Sequence, residues 1–296
     1  MTRWKATITY DGTNFHGWQI QPHRPTVQRT LAQAIHHITG ETVLPQGSGR
    51  TDTGVHALGQ VASFDLAAPI PPANLLHALN RALPPTIRVL SVEPVQPHFH
   101  ARHSARRKTY EYRILGRRVQ NVETICPPFL APYVWTCPRT LDLESLNRAA
   151  AHVVGTHDFT SFAAIKPDQA SRSASNSEEA AAAFDTLQSP PQPPEAEGPF
   201  FPIKPPRPTP NTRTIQSSFW TQAKGGTQAE DALLLYRVCG SGFLHHMVRN
   251  LVGTFVEAAS HRLSPDAIPT ILAARDRRAA GPTAPPQGLF LVEVEY

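Results

Sequence analysis

Residues Thr2 to Tyr10 alternate between apolar and polar positions and run into Asp11-Gly12, which predicts a strand closed by a tight turn. The period then changes. Val27, Leu31, Ile35 and Ile38 recur at helical spacing behind a Thr26 N-cap, and Gly40 is placed to end the helix they predict. Gln60 to Asp65 alternates as a strand does, Ala73 to Leu83 reads as a helix stopped by Pro84-Pro85, and Ile87 to Val92 and Thr109 to Leu115 read as strands. A second cycle begins with Leu143, Leu146, Val153 and Val154 on a helix that Gly155 would stop. Strands at Thr212 to Trp220 and Ala232 to Cys239 follow, then a helix from Phe243, another from Pro265 to Arg275, and a last strand from Gly288 to Tyr296. The order is mixed α/β and suggests two similar halves, although their self-similarity is weak.

The stretch from about Asp168 to Pro210 breaks this pattern. Ser171 to Ala183 is a Ser/Ala/Glu tract without an apolar face, and ten of the 22 residues from Ser189 to Pro210 are proline. Neither a helix nor an interior strand survives that density, so a flexible, partly polyproline surface insertion is expected. A proline-rich ligand for an SH3-type partner is the other reading of this composition, and nothing around it supports that reading.

Hydrophobic residues make up 40% of the 296-residue chain and aromatics 8%, which permits a substantial core and excludes a wholly disordered chain. No stretch approaches the roughly 18 apolar residues of a membrane helix, and Met1 to Gly12 lacks the apolar core of a secretory signal, so a cytoplasmic location with no membrane partner is expected. Cys126, Cys137 and Cys239 are an odd count without CxxC spacing, which excludes a disulfide scaffold and argues against structural zinc. The net charge of +5 permits a polyanionic partner without identifying one. Its placement says more: seven Lys and Arg lie between His98 and Arg118 against the single acid Glu111. Such a run reads either as a solvated strand flank or as a contact to RNA or DNA.

Candidate chemistry concentrates in Gly47-Ser48-Gly49-Arg50-Thr51-Asp52-Thr53-Gly54-Val55-His56-Ala57. Glycines at this density allow tight turns and close approach of a ligand to backbone. An Asx-turn carrying a surface Arg is the bland interpretation; a functional loop presenting Arg50 and Asp52 is the other. Nucleotide binding is weakly supported, because no GxxxxGK[ST] is present and no helical pattern follows at once. The histidines show no HExxH and no Cys–His cluster, so no metal site is expected. Ser48 stands in Gly-Ser-Gly rather than GxSxG, and Asp52 has no second acid that sequence can set opposite it, which sets aside serine hydrolysis and glycoside hydrolysis. Further on, Leu244, Met247, Val248, Leu251, Val252, Phe255 and Val256 form one apolar stripe. At about 100° per residue Arg249 falls on the border of that stripe, where it either snorkels to water or sits half-buried. A half-buried Arg beside an acid would lower the acid's pKa by roughly 1 to 3 units.

Several motifs together resemble the tRNA pseudouridine synthase A family. They are Tyr10-Asp11-Gly12 through Gly17-Trp18-Gln19, Thr26-Val27-Gln28, Gly49-Arg50-Thr51-Asp52-Thr53-Gly54-Val55-His56-Ala57, Lys108-Thr109-Tyr110-Glu111-Tyr112, Asp158-Phe159-Thr160-Ser161-Phe162, Phe243-Leu244-His245-His246-Met247-Val248-Arg249-Asn250, and Pro282-Thr283-Ala284-Pro285 before Gly288-Leu289. They cover nearly the whole chain in the family's order. The resemblance implies an isomerase that converts uridine to pseudouridine at positions 38 to 40 of the tRNA anticodon stem-loop, with no cofactor and no metal. It implies that Asp52 is the catalytic aspartate, that Tyr110 stacks on the target base, that Arg249 pairs with the aspartate, and that Arg50 lies in the same cleft and aids base extrusion. Attack on the sugar C1′, addition to C6 of the base and a glycal route all use one ionised Asp and remain open. A silent tRNA-binding protein or folding chaperone is the rival from another class, and the intact Arg50, Asp52, Tyr110 and Arg249 set counts against it.

The implied fold is α/β (α+β), with two similar halves whose sheets join across a central cleft, in a homodimer whose basic surface holds tRNA. The expected division is residues 1–105 with the catalytic loop and 106–296 with the insertion at about 168–210. Arg102, Arg106, Arg107 and Lys108, beside Tyr110, are the expected contacts to the RNA backbone. The insertion is the chief departure from the family's pattern, and at low cost in loop entropy the fold should survive it.

Overall fold

A computed structural model describes residues 1–116, 118–119, 122–164, 209–223 and 232–296, so the expected insertion lies almost wholly outside the described residues. The first part of the chain forms β1 (Thr2–Tyr10), α1 (Val27–Thr39), β2 (Gln46–Gly47), β3 (His56–Leu66), α2 (Pro72–Ala82) and β4 (Ile87–Val95). There follow β5 (Arg107–Gly116), β6 (Arg118–Val119), β7 (Val122–Glu123), β8 (Trp135–Cys137), α3 (Leu143–Ala151) and β9 (Gly155–Asp158). The last elements are β10 (Thr212–Gln222), β11 (Leu233–Gly240), α4 (Met247–Ala259), α5 (Ile268–Ala274) and β12 (Leu289–Glu295).

One ten-stranded mixed sheet runs through the molecule in the order β4-β1-β3-β12-β5-β11-β10-β9, with β2 added on β3 and β8 on β5. The α1 and α2 helices pack together with α2 over β4, while α3 packs against α4 and β10. The C-terminal strand makes the join, parallel to β3 on one side and antiparallel to β5 on the other. Its register aligns Tyr10, Ala57, Leu291, Tyr110 and Val238 in one row across five strands. Directly paired residues point to the same face of a sheet. Tyr110 is thereby brought to the end of the sheet from which the loop before His56 emerges.

The local signals for α1 act as expected: the Thr26 side chain accepts from the Arg29 amide, and Gly40 ends the helix in the left-handed region at φ 73°. Three expectations change. The helix expected from Phe243 starts only at Met247, because His246 takes a left-handed conformation at φ 62° and breaks the path, leaving Leu244 in the turn before it. The helix starting at Leu143 ends at Ala151, with Val153 and Val154 in turns and Gly155 opening β9. The strand at Gln60 to Asp65 is buried on both faces except at Asp65, and the Ala101 amide, itself buried, donates to Ser63 Oγ at 3.1 Å. The short strands β2, β8 and β9 carry no periodicity long enough to read from sequence.

The helix α4 is buried along most of its length and runs close under the segment Gly281–Ala284. A Cβ on Gly253 would stand 1.7 Å from the Pro282 carbonyl oxygen. In an ordinary helix Gly→Ala stabilises by up to about 1 kcal/mol. Here the sign reverses: Gly253→Ala is expected to lower stability by about 1–3 kcal/mol in a urea melt, and an unchanged or raised midpoint would contradict the close approach.

Candidate active site

The loop between β2 and β3 is clamped from several directions. Its turn is Asp52-Thr53-Gly54-Val55, closed by the Val55 amide on the Asp52 carbonyl at 3.1 Å, with Gly54 at φ 76° in the position that demands a left-handed residue. This corrects the Asx-turn reading, since backbone closes the turn and the carboxylate is engaged elsewhere. Tyr10 Oη and Thr51 Oγ1 share a buried hydrogen bond of 2.8 Å, and the Trp18 amide donates to the Thr51 carbonyl at 3.1 Å. Gly12 and Gly17 explain the first motif: a Cβ would fall 2.0 Å from the Val55 carbonyl oxygen at Gly12 and 2.4 Å from the Thr51 carbonyl oxygen at Gly17. Behind the loop, Ser48 Oγ donates to Gln60 Oε1 at 2.6 Å and Gln60 Nε2 donates to the Gly49 carbonyl at 2.9 Å.

Asp52 meets the first turn of α4. Arg249 Nη1 donates to Asp52 Oδ2 at 3.1 Å, His246 Nε2 stands 3.4 Å from the same oxygen, and His245 Nε2 stands 3.2 Å from Oδ1. Burial alone would raise the Asp52 pKa, but the His245 hydrogen bond and the charges of His246, His245 and Arg249 outweigh it and hold the carboxyl below its ordinary value. The positive end of the helix dipole acts in the same direction. Arg249 is the half-buried border residue of the two sequence alternatives, 13% exposed, with its Nε donating to the Ala284 carbonyl at 2.7 Å. The Ala284 amide returns a bond to the Arg249 carbonyl, so Pro282-Thr283-Ala284-Pro285 serves as the brace of the guanidinium.

Asn250, fully buried next to Arg249, donates through Nδ2 to the Phe162 carbonyl at 2.8 Å and accepts through Oδ1 from Thr283 Oγ1 and Arg277. Ser161 Oγ donates to the Ile271 carbonyl at 2.6 Å and accepts the Asp276 amide. The Asp158–Phe162 run therefore acts as a support for α4 rather than as a chemical group.

Tyr110 is 8% exposed and meets Phe243 edge-on at 4.9 Å between ring centroids. Burial, then the neighbouring Tyr10 and the Asp52 charge, push its hydroxyl far above the ordinary phenol range, and the hydroxyl has no hydrogen-bond partner among the described residues. Arg50 is exposed and makes no ion pair among the described residues. Arg102 and Arg106 are exposed too, and Arg107 pairs with Glu295 at the surface. Lys108 turns inward onto the Ser48 carbonyl, and burial followed by the Arg102 charge brings its pKa down to about 8. Beyond His245 and His246 lies a cavity of about 730 Å³, lined also by Leu244, Arg277, Arg278 and Thr283, and neither Arg50, Asp52 nor Tyr110 lines it.

The sequence reading missed His245 and His246 as partners of Asp52. Their position just ahead of Arg249 was the available signal, and it was obscured by starting the helix at Phe243. Asp52, His245 and His246 also bring one donor atom each within 4.8 Å of one another, as a metal site would require. The fixed charge of Arg249 already holds one oxygen of that carboxylate and disfavours a further cation there.

A sequence profile described as tRNA pseudouridine synthase matches residues 6–104 and 199–296. A protein of Moorella thermoacetica named tRNA pseudouridine synthase A is 40% identical over 295 residues, covering 99% of this chain and 98% of its own. One of the same name from Solibacter usitatus is 40% identical over 297 residues with both chains covered in full, and one from Bacillus pumilus is 37% identical over 294 residues, 99% of this chain and 98% of its own.

Because Asp52 has a lower pKa in the folded protein than in the unfolded chain, its ionised form stabilises the fold above the ordinary carboxylate pKa of about 4. That contribution is lost as pH falls through the folded value. The stability difference between the wild type and Asp52→Asn should therefore shrink on acidification below about pH 4; urea melts giving a pH-independent difference would contradict the assigned charge state.

Proposed function

The chain belongs to the tRNA pseudouridine synthase family, and we propose that it isomerises uridine to pseudouridine in the anticodon stem-loop of tRNA, at positions 38 to 40, with Asp52 as its catalytic carboxylate. The observation that supports this most is the carboxylate held ionised by His245, His246 and Arg249 on a loop braced from several directions, at the sheet end that also carries Tyr110. The reaction breaks the N1–C1′ bond, turns the uracil and rejoins it through C5, without redox change or net hydrolysis. An ionised carboxylate in contact with the sugar serves each of the three routes, as nucleophile at C1′, as nucleophile at C6 or as base on the sugar.

The target uridine leaves its stack at a cost of a few kcal/mol, which an aromatic contact offsets in part. We assign that contact to the open part of the Tyr110 ring, backed by Phe243. To Arg50, exposed on the same loop as Asp52, we assign the role of occupying or holding open the space that the extruded base vacates. Arg102, Arg106 and Arg107 supply positive surface for phosphates, while Lys108 acts mainly by holding the catalytic loop through the Ser48 carbonyl. We place the boundary between the two halves at residues 105 and 106 and infer that a homodimer extends the basic surface along the tRNA. A cytoplasmic site of action follows from the tRNA substrate, and no helix among the described residues is long and apolar enough to cross a membrane.

Purified protein given unmodified tRNA should form pseudouridine, detected by carbodiimide mapping, and Asp52→Ala should lose turnover while keeping most of its tRNA affinity. Tight binding by the wild type without product would instead favour a silent tRNA-binding protein. Tyr110→Ala should cut turnover at least tenfold, and unchanged rates in both Tyr110→Ala and Tyr110→Phe would remove the stacking role. Affinity should fall steeply between low and high salt as bound counterions are exchanged, whereas a flat response would contradict phosphate contacts by the Arg102–Arg107 surface.

A further inference from the structure

The turn at residues 243–246 has neighbours of two kinds. Phe243 meets the Tyr110 ring at 4.9 Å between centroids, and the Nε2 atoms of His245 and His246 stand 3.2 and 3.4 Å from the Asp52 carboxylate. Leu244, His245 and His246 also line the cavity of about 730 Å³. Only the thickness of this turn therefore separates the cavity from the carboxylate. The turn is held in shape by the Ala164 amide, which donates to the His245 carbonyl at 2.9 Å, and by the Met247 amide on the Leu244 carbonyl at 3.0 Å. His246 keeps φ at 62° within it. A non-glycine residue stays in that region only where its surroundings impose it, and such strain concentrates at ligand sites.

The cavity has the size of a small-ligand site, for which about 300–1,000 Å³ is usual. Ala163, Ala164, Leu244, Ala280 and Pro282 make much of its wall apolar. Arg277 and Arg278 bring positive charge, and no carboxylate among the described residues lines it. Arg277 donates to neutral acceptors, namely the Ala280 and Gly281 carbonyls, Asn250 Oδ1 and Thr283 Oγ1, and makes no ion pair among the described residues. Its charge is left unanswered. Arg278 pairs with Asp276 at 2.9 Å with its side chain 87% exposed, and an exposed pair of this kind is weak enough to give way to a phosphate. An apolar wall with cations and no acid fits a ligand that joins a flat base to an anionic phosphodiester.

We propose that this cavity receives the nucleotide that adjoins the target uridine on its anticodon-loop side; this rests on the pseudouridine synthase reading above. The base lies against Leu244 and the ring of His245, whose side chain is 66% exposed, and the phosphate meets Arg277 and Arg278. Histidine rings serve as stacking surfaces for unpaired RNA bases. Continuity decides for a nucleotide of the same strand, since the cavity and the carboxylate share the turn at 243–246. A loop-side neighbour need not break a base pair to dock. Once it has left the stack, the target uridine has lost one of its two stacking partners, and its own extrusion costs less. The turn thus divides two adjoining bases, one held on the Tyr110 side and one on the cavity side.

The test uses the full-length protein and tRNA with a single target uridine. A 6-thioguanosine in the loop-side neighbouring position should, on irradiation, crosslink to a peptide containing residues 244–246 or 277–283. An abasic nucleotide in that position should weaken binding at least about fivefold, as loss of one stacked base does. Arg278→Glu, a change at an exposed side chain, should reduce the crosslink and weaken binding at low salt. Crosslinks confined to other segments, or an abasic tRNA bound as tightly as the intact one, would overturn the proposal. That holds even where Arg278→Glu weakens binding, because the arginine would then supply only diffuse positive charge. A wild-type protein that binds the intact tRNA and forms no pseudouridine overturns the isomerase reading instead, and product formation and crosslinking are read separately.

Discussion

The ion pair between Asp52 and Arg249, 197 residues apart in sequence, is the constraint on which the rest of the site depends. A carboxylate taken largely out of water is stable only if its charge is answered by fixed partners, and removing one partner from such a pair is far more costly than the pair's net worth. Both sides of the pair are accordingly built to be rigid. On one side, backbone contacts at Gly12 and Gly17 press the loop into place, and Tyr10, Ser48 and Gln60 satisfy its polar groups. On the other side, Ala284 braces the guanidinium while Asn250 ties the same helix turn to Phe162, Thr283 and Arg277.

The sheet brings these two constructions together. The last strand pairs with β3 and β5 at once, so the loop before β3 and the aromatic residue on β5 meet at one end of a continuous sheet. This explains the order of the motifs along the chain. Residues that touch the carboxylate come from the loop at 52 and the turn at 245–249, and the segments between them supply strands, supports and the tyrosine.

Much of the scaffold was legible in the sequence because its signals are local. The Thr26 and Gly40 caps, the alternation in Thr2–Tyr10 and the stop at Pro84-Pro85 each act within one turn or strand. The position of Arg249 on the border of an apolar stripe was also legible, but that border left burial and snorkelling both open, and the contacts to Asp52 and Ala284 decide between them. What local pattern could not show is whatever depends on long-range approach. Nothing near Gly12, Gly17 or Gly253 in sequence reveals the carbonyl oxygens of Val55, Thr51 and Pro282 that exclude a side chain there. His246 is a non-glycine residue at positive φ, held so by its surroundings, and this single departure moved the helix start past Leu244 and hid the two histidines from view. Tyr110 is one more apolar position of an alternating strand, and only the resemblance marked it.

The charge state of Asp52 is the hinge between this architecture and its chemistry. The most direct measurement is the titration of the Asp52 side-chain carboxyl carbon by NMR in the wild type and in Arg249→Met. The account predicts a wild-type carboxyl that stays ionised below the ordinary range near pH 4, and a pKa that rises once the guanidinium is gone. An ordinary titration in the wild type, left unmoved by Arg249→Met, would contradict it.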